Sequence, residues 1–305
     1  MRNTTINEIL QLAKSDPNII LMTADLGYSV MEKFIEELPR QFINVGIAEQ
    51  NMIGLAAGLA LMGKKVIVYT IVPFATMRCF EQIRVDLCYQ NLDVKIIGVG
   101  GGYAYGTLGT THYAIEDLAI MRSLPNMKVF APADAIEAKE IVPLLLSLPG
   151  PGYLRLNRGG EINIHPTTQL KLQLGQGIDM TPSAEILLIA TGNILQNAVA
   201  AIKQLESENI KIQLVSQPFL KPIDRDWLVA KLSGKKYIFT VEEHSVIGGL
   251  GSLIAELIAE AGLHVRLKRL GVNDEYFSTI GKQDYMRDLA GISTEKIVEQ
   301  IKQYV

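Results

Sequence analysis

Val45-Gly46-Ile47-Ala48-Glu49-Gln50-Asn51 is the stretch that decides the fold, because it joins a strand-like run at 42–45 to a helical run at 48–62. That helix is apolar on nearly every face and rich in glycine and alanine. A helix without a polar face is usually buried, so Glu49 carries a carboxylate to the edge of a core. Two explanations stay open. Glu49 either complements the positive end of the helix dipole, or it pairs with a group in a functional site.

Strand-like and helix-like segments alternate on both sides of this stretch. Apolar runs predict strands at 19–24, 64–70, 94–99, 127–130 and 152–156, with helices at 3–14, 74–89, 114–122 and 134–146 between them. A second alternating unit begins at residue 186. This alternation predicts an α/β fold with two consecutive open, mainly parallel sheets and helices on both faces. We expect domains at 1–160 and 184–305, joined by a glycine-containing linker at 161–183.

The composition excludes several functional classes. The chain has 305 residues, a net charge of −3 and a sequence pI of about 5.9, which do not favour nucleic acid or an anionic membrane as a partner. Two cysteines and four histidines show no metal-ligand spacing, so no metal site is predicted in this chain. The first residues lack an apolar secretory segment, and we expect a cytoplasmic protein. A mean hydropathy of +0.20 favours apolar surface buried against a partner.

Candidate site residues follow the predicted strands. Ligands of open parallel sheets bind outside the carboxyl ends of the strands. Asp25, Glu49, Phe74, His112 and Arg158 each come after a strand-like run, so one rim can gather them. A histidine suits proton transfer near neutral pH, although a lone histidine is more often structural, and an aromatic residue at a helix start usually packs into the core.

Two glycine-rich segments invite a phosphate-binding interpretation. The loop at 98–106 fails the G-x-G-x-x-G pattern, because tyrosine stands where the last glycine should be and no helix follows. Its glycines still permit close approach of the backbone to a ligand. The glycines at 248–251 precede a helix and could bind an anion at its N-terminus, but a tight turn explains them as well.

Several of these segments together resemble one family. They are 45–51, 74–84, 106–112 with Glu116-Asp117, 190–192, and 241–244 with 248–251. The combination is similar to the pyrimidine-binding and C-terminal domains of transketolase-type thiamine diphosphate enzymes, and the resemblance covers essentially the whole chain. This resemblance implies that the protein is an enzyme of the transferase class.

The resemblance implies roles for the cofactor-facing residues. The family's glutamate at the position of Glu49 hydrogen-bonds N1′ of the aminopyrimidine and so activates the cofactor. Phe74 matches the aromatic residue that stacks on the pyrimidine ring, and Phe80 lies in the same matched segment as a further expected cofactor contact.

The resemblance also implies residues for the substrate. His112 matches a catalytic histidine that contacts substrate oxygens, Asp25 matches an aspartate near the substrate channel, and Arg158 matches an arginine that binds a sugar phosphate. Departures from the family pattern concern the acceptor: Leu108 replaces an acidic residue, and Gly100 replaces a histidine. The identity of the acceptor sugar therefore stays open.

The family's Gly-Asp-Gly…Asn motif, which binds magnesium and the diphosphate, does not occur in the sequence. The chain thus resembles the C-terminal subunit of a split transketolase. We expect a separate partner subunit that carries Mg²⁺ and the diphosphate domain, in an α2β2 heterotetramer with a homodimer core. Two alternatives stay open. One is the beta subunit of a 2-oxo acid dehydrogenase or a 1-deoxyxylulose-5-phosphate synthase-like enzyme, and the other is a non-catalytic regulatory subunit.

Overall fold

The computed structural model describes residues 1–166 and 169–305. Its strands, in chain order, are β1 (Ile19–Thr23), β2 (Phe42–Asn44), β3 (Lys65–Ile71), β4 (Val94–Val99), β5 (Lys128–Phe130), β6 (Gly152–Leu156), β7 (Ile178–Asp179), β8 (Ile186–Thr191), β9 (Ile212–Ser216), β10 (Phe219–Lys221), β11 (Tyr237–Ser245) and β12 (Arg266–Val272). They form a seven-stranded and a five-stranded sheet.

The helices cover both sheets. In chain order they are α1 (Arg2–Ser15), α2 (Glu32–Glu37), α3 (Glu49–Leu61), α4 (Val72–Ala75), α5 (Phe80–Gln82), α6 (Asp117–Ser123), α7 (Ala135–Ser147), α8 (Leu195–Ser207), α9 (Arg225–Leu232), α10 (Leu250–Glu260), α11 (Gln283–Leu289) and α12 (Thr294–Lys302). Short 3₁₀ segments occupy Pro39–Gln41, Gly106–Leu108 and Gly192–Ile194, and a π-helix occupies Ile83–Tyr89. In the described part of the chain, no helix is both long and apolar enough to cross a membrane.

The sheets confirm the predicted fold class. The first sheet has the order β10-β5-β6-β4-β3-β1-β2, and all its pairs are parallel except β10 with β5. The second has the order β12-β11-β8-β9-β7, with only β7 antiparallel. β10 follows β9 in the sequence but completes the first sheet, so the second half of the chain supplies an edge strand to the first half.

The core lies on both faces of the first sheet. Ile20 and Met22 of β1 pack into the same cluster as α3, whereas Ile19 and Leu21 pack into the opposite cluster with α1 and α7. Successive side chains of a strand point to opposite faces. A continuous apolar run such as β1 is therefore buried on both sides, as its sequence predicted.

The prediction of one helix over 74–89 was wrong. The segment contains α4, a turn at 76–79, α5 and the π-helix. Cys79, Ile83 and Leu87 all lie in one buried cluster and are spaced by four residues, more than the 3.6 residues of an α-helical turn. A spacing of four residues fits the α-helical turn and the wider π-helical turn about equally, so it does not distinguish the two.

The predicted linker at 161–183 packs against both halves of the chain, and its residues 167–168 lie outside the described residues. It contributes β7 to the second sheet. His165 places Nε2 2.8 Å from Oε1 of Glu137 on α7, and the Ser216 hydroxyl on β9 donates to the same oxygen at 2.6 Å. Burial alone would lower the pKa of His165, but the hydrogen bond and charge of Glu137, with the charge of Asp134, outweigh burial and raise that pKa.

Candidate functional site

The stretch at 45–51 places Glu49 at the carboxyl end of the first sheet. The turn between β2 and α3 uses Gly46, whose φ of +73° favours glycine. The side-chain oxygen of Asn44 accepts hydrogen bonds from the backbone N–H groups of Gly46 and Asp25, each at 3.0 Å. Glu49 follows as the first residue of α3 and is only 3% exposed. A nearly buried carboxylate needs a partner.

That partner is Arg78, a residue that the sequence pattern did not indicate. Arg78 Nη1 lies 2.7 Å from Glu49 Oε2, and the guanidinium carbon lies 4.1 Å from the centre of the Phe74 ring. Phe74 is half-buried in α4, which directly follows β3, so its ring reaches the rim instead of the core. Glu49, Phe74 and Arg78 thus form one cluster, which we call the Glu49 cluster. The only sequence signal for Arg78 is a cation four residues after Phe74.

His112 adjoins this cluster from the glycine-rich loop. Its ring centre lies 5.3 Å from that of Phe74 in an edge-to-face arrangement. Its Nδ1 lies 2.8 Å from the hydroxyl oxygen of Thr111. The structure therefore brings together three predicted site residues, namely Glu49, Phe74 and His112.

Cys79 lies next to the cluster but is no candidate nucleophile. Its thiol is buried and donates to the carbonyl of Phe74 at 3.1 Å. Burial, helped by the nearby Glu49 carboxylate, raises the pKa of Cys79 to about 12. Since the thiolate is the reactive form of cysteine, this residue is inert near neutral pH.

Asp25 lies one strand away on the same rim. Its carboxylate accepts a hydrogen bond from Asn44 Nδ2 at 3.2 Å, so Asn44 connects Asp25 to the stretch that carries Glu49. Asp25 is exposed, has a φ of +52°, and lines a cavity of about 320 Å³ with Tyr28 and Glu32 among its other residues. A non-glycine residue at positive φ is uncommon and often marks a constrained functional loop.

Arg158 is exposed on the rim and lies over an aromatic ring. Its guanidinium carbon is 5.0 Å from the ring centre of Tyr105. Tyr105 also fills the space beside Gly100, where an added Cβ would lie 2.1 Å from the Tyr105 ring. The position at which the family carries a histidine is therefore occupied here by Tyr105 from the same loop.

Arg2 is a second rim cation, and the sequence pattern did not indicate it. Burial raises the pKa of Tyr69, and the neighbouring Arg2 guanidinium partly opposes this change. A Cβ added at Gly159 would lie 3.7 Å from Arg2 Nη2, so Arg2 reaches the backbone that directly follows Arg158. A helix that leads into a strand of a parallel sheet runs antiparallel to that strand. The first residue of α1 is therefore expected at the rim where the carboxyl end of β1 lies. That topological argument could have identified Arg2.

Two other predicted positions lie apart from the Glu49 cluster or face solvent. Phe80 is half-buried and packs against the core beneath the first sheet. Among the described residues, its ring makes no aromatic contact with Phe74 or His112. Leu108 is 52% exposed in the 3₁₀ segment that precedes His112, an unusual place for a large apolar side chain.

A buried ion-pair network fixes the glycine-rich loop to the second sheet. Glu243 at the end of β11 accepts hydrogen bonds from the backbone N–H of Tyr103 at 2.8 Å and from Arg287 Nη2 at 2.7 Å. Arg155 on β6 donates to the carbonyl of Glu243 at 2.9 Å and pairs with Asp117. The second half of the chain therefore positions the loop that carries His112.

The glycines at 248–251 do not form an open anion site. The carboxylate of Glu242 accepts hydrogen bonds from the backbone N–H groups of Leu250 and Gly251, each at 2.7 Å, and so occupies the N-terminus of α10. Burial raises the pKa of Glu242. The anion at this helix end is the chain's own carboxylate.

Family models match both halves of the chain. The transketolase pyrimidine-binding domain matches residues 1–160, and the transketolase C-terminal domain matches residues 175–297.

Among the described residues, no group of histidine, cysteine, aspartate and glutamate side chains could hold a metal ion.

The chain is similar to known proteins and solved structures of that family. It is 35% identical to a subunit of the apulose-4-phosphate transketolase of Actinobacillus succinogenes, with 98% of this chain and 96% of the relative covered. It is 34% identical to the 1-deoxy-D-xylulose-5-phosphate synthase of Syntrophus aciditrophicus, with 97% and 46% covered. The solved structure of a split-gene transketolase, described as an inactive beta4 tetramer, matches with a TM-score of 0.89, 36% identity, and 99% and 96% coverage. The chain therefore belongs to the transketolase family of transferases and has the length of its split-gene subunits.

Proposed function

We propose that this chain is the pyrimidine-binding subunit of a thiamine diphosphate-dependent transketolase, which transfers a two-carbon ketol unit from a ketose to an aldose. The observation that carries the proposal is the Glu49 cluster, a nearly buried carboxylate beside an aromatic ring at the carboxyl rim of a parallel sheet, with His112 adjoining it. A non-catalytic regulatory subunit would have no need to keep these three groups together.

The cluster fits the pyrimidine half of the cofactor. The planar guanidinium of Arg78 already makes two contacts that an aminopyrimidine needs, a stack on Phe74 and a hydrogen bond to Glu49. A flat nitrogen-containing ring therefore has matching chemistry and space here. Phe80 packs against the core beside this site, and its contact with the cofactor stays a prediction.

The residues of this chain then have distinct tasks. When bound, thiamine diphosphate supplies a nucleophilic thiazolium carbon. Glu49 would hold N1′ of the pyrimidine through a hydrogen bond whose proton lies between the carboxyl group and that nitrogen, and it would so favour the imino tautomer of the ring. Phe74 orients the ring, and His112 offers an imidazole to substrate oxygens, where it can donate or accept a proton. The low water access around Glu49 strengthens its hydrogen bond.

The substrate enters along the rim past Asp25 and Arg158. Arg2 and Arg158 together offer two guanidinium groups to an anionic end of a sugar, since guanidinium binds phosphate in a bidentate manner. Leu108 presents an apolar side chain on the same path, where the family pattern has an acidic residue. The acceptor that fits best therefore presents a less hydroxylated face to this loop than a common pentose phosphate does.

The site is completed by another chain. The surface formed by the 47–62 stretch and the end of the π-helix exposes large apolar residues, which mark protein interfaces in soluble proteins. They are Ile47, Leu55, Leu61, Met62 and Tyr89. With the diphosphate motif missing from the sequence, we assign Mg²⁺ and the diphosphate to a partner subunit in an α2β2 heterotetramer.

A decarboxylating enzyme is the second candidate, because a 1-deoxyxylulose-5-phosphate synthase matches the chain with similar identity. The donor distinguishes the two, since a transketolase takes a ketose and a decarboxylating enzyme takes a 2-oxo acid. The decisive experiment is to purify the chain alone and together with a subunit that carries Gly-Asp-Gly…Asn, and to assay both donor classes.

We expect turnover of a ketose by the complex and none by the single chain. Carbon dioxide release from a 2-oxo acid would favour the second candidate. Strong activity of the chain alone would contradict the divided site.

A further inference from the structure

The side chain of Arg78 fills the space between the Glu49 carboxylate and the Phe74 ring. Its Nη1 is 2.7 Å from Glu49 Oε2, and its guanidinium carbon is 4.1 Å from the ring centre. Among the described residues, no other cation forms an ion pair with Glu49. The two groups that the proposed function assigns to the pyrimidine are therefore both engaged by one residue of the chain itself.

The backbone and the side chain of Arg78 are held in different ways. The Arg78 N–H donates to the carbonyl of Pro73 at 3.1 Å, and the Arg78 carbonyl accepts from Gln50 Nε2 at 3.1 Å. The guanidinium has one hydrogen-bonded partner and one ring face, and the side chain is 44% exposed. Rotation about its side-chain bonds therefore moves the guanidinium into solvent without moving the turn.

Two buried arginines of the same chain show the contrast with a structural role. Arg287 is fully buried and donates to Glu243, Asn193 and Asn197. Arg155 is nearly buried and bridges the two halves of the chain. An arginine kept for stability is enclosed and has several partners, whereas Arg78 has a single hydrogen-bonded partner and an open side.

We infer that Arg78 is a displaceable occupant of the pyrimidine site. Its guanidinium occupies the contacts of the Glu49 carboxylate and the Phe74 ring until the cofactor takes them over. A guanidinium and an aminopyrimidine are both flat and delocalised and both carry N–H groups, and they cannot occupy the same volume. Cofactor binding then exchanges one planar group for another. This inference rests on the proposed function.

Displacement has a measurable consequence for affinity. The apparent affinity for the cofactor equals the affinity of the open site multiplied by the fraction of molecules in which the Arg78 side chain has already left that site. A partly exposed cation–π contact and a partly exposed ion pair together correspond to a penalty of roughly threefold to thirtyfold. Arg78→Ala should therefore bind thiamine diphosphate more tightly than the natural chain by that factor.

The test is calorimetric titration of thiamine diphosphate with Mg²⁺ into the complex with the diphosphate-binding subunit. Arg84→Ala is the matched control, because Arg84 lies six residues away and is exposed, and among the described residues it forms an ion pair only with Glu81, at 3.0 Å. We expect a lower Kd for Arg78→Ala and an unchanged Kd for the control. An equal or higher Kd for Arg78→Ala would overturn the inference.

A second measurement uses the chain without cofactor. Arg78→Ala should lower Tm by a few degrees, because Glu49 loses its ion-pair partner, and the added change Glu49→Gln should restore most of that loss. An unchanged Tm for Arg78→Ala would show that the ion pair is absent and would also overturn the inference. If neither the natural complex nor any variant binds the cofactor, the proposed function itself fails. Normal binding by the natural complex with no gain in Arg78→Ala contradicts only the role of Arg78.

Discussion

Replacing Arg287 by methionine tests whether the second half of the chain positions the loop that carries His112. Arg287 is fully buried and directs Nε and Nη2 to Glu243 at 3.1 and 2.7 Å. Methionine keeps an unbranched apolar stem like that of arginine, but it is shorter and lacks the charged guanidinium. Glu243 would then stay buried, and its carboxylate would keep the Tyr103 N–H and the Gln283 amide as its donors within the described part of the chain.

The expected loss follows from the burial of both groups. Removal of one partner of a buried ion pair costs about 3–5 kcal/mol, because the other charge is left without compensation. The two remaining donors to Glu243 place the loss near the lower end, at about 3 kcal/mol. For a chain of this size, we expect a fall in Tm of about 6 °C, at roughly 2 °C for each kcal/mol.

Differential scanning calorimetry of three variants separates the charge effect from a packing effect. Arg287→Met should lose the full amount, whereas the double variant Glu243→Met with Arg287→Met should recover most of it, since an apolar pair can replace a buried ion pair. Equal losses in the single and double variants would refute the electrostatic explanation. Turnover of the assembled enzyme should also fall in Arg287→Met, because the Tyr103 N–H loses a rigid acceptor.

Three further predictions concern single residues. Glu49→Ala should abolish turnover of the complex and leave its assembly intact by size-exclusion chromatography, and residual activity near the natural level would contradict the role of Glu49. His165→Gln should lose more stability at pH 6 than at pH 9 in thermal unfolding. Because the pKa of His165 is raised in the folded chain, its pairing with Glu137 stabilises the fold fully at pH values below the ordinary pKa of histidine. That stabilisation is lost as the pH rises through the raised pKa. Gly100→Ala should lower stability by about 1–3 kcal/mol in urea unfolding, because alanine would be strained at a φ of +87° and would clash with Tyr105. Adding Tyr105→Ala should remove the clash but not the strain, so full recovery in that double variant would contradict the backbone part of the argument.

Sequence periodicity predicts the parts of this fold that are set by local burial. Strands such as β1 and β4 are continuous apolar runs because both faces are covered, and α3 was recognisable from its small apolar residues. Glu49 could be predicted because it starts that helix directly after a strand. His112 and Phe74 could be predicted as rim residues for the same topological reason.

Other features depend on contacts that sequence spacing does not encode. The ion pair between Arg78 and Glu49 joins residues from two different turns. The π-helix arises from apolar positions that also match an α-helix approximately. The burial of Glu243 was not predicted, because its partner Arg287 lies on a short helix with no strong apolar pattern.

The pairing of β10 with β5 has a consequence for biosynthesis. When the ribosome has released the first 160 residues, β5 is still an open edge, because its neighbour Phe219–Lys221 has not yet been made. Unpaired strand edges of nascent chains promote aggregation. The first sheet is complete only after β10, which follows β8 and β9 in the sequence, has been synthesised, so the first half needs the second half to cover β5. Separate expression of residues 1–160 should yield a product that depends on chaperones, whereas the whole chain covers its own edge.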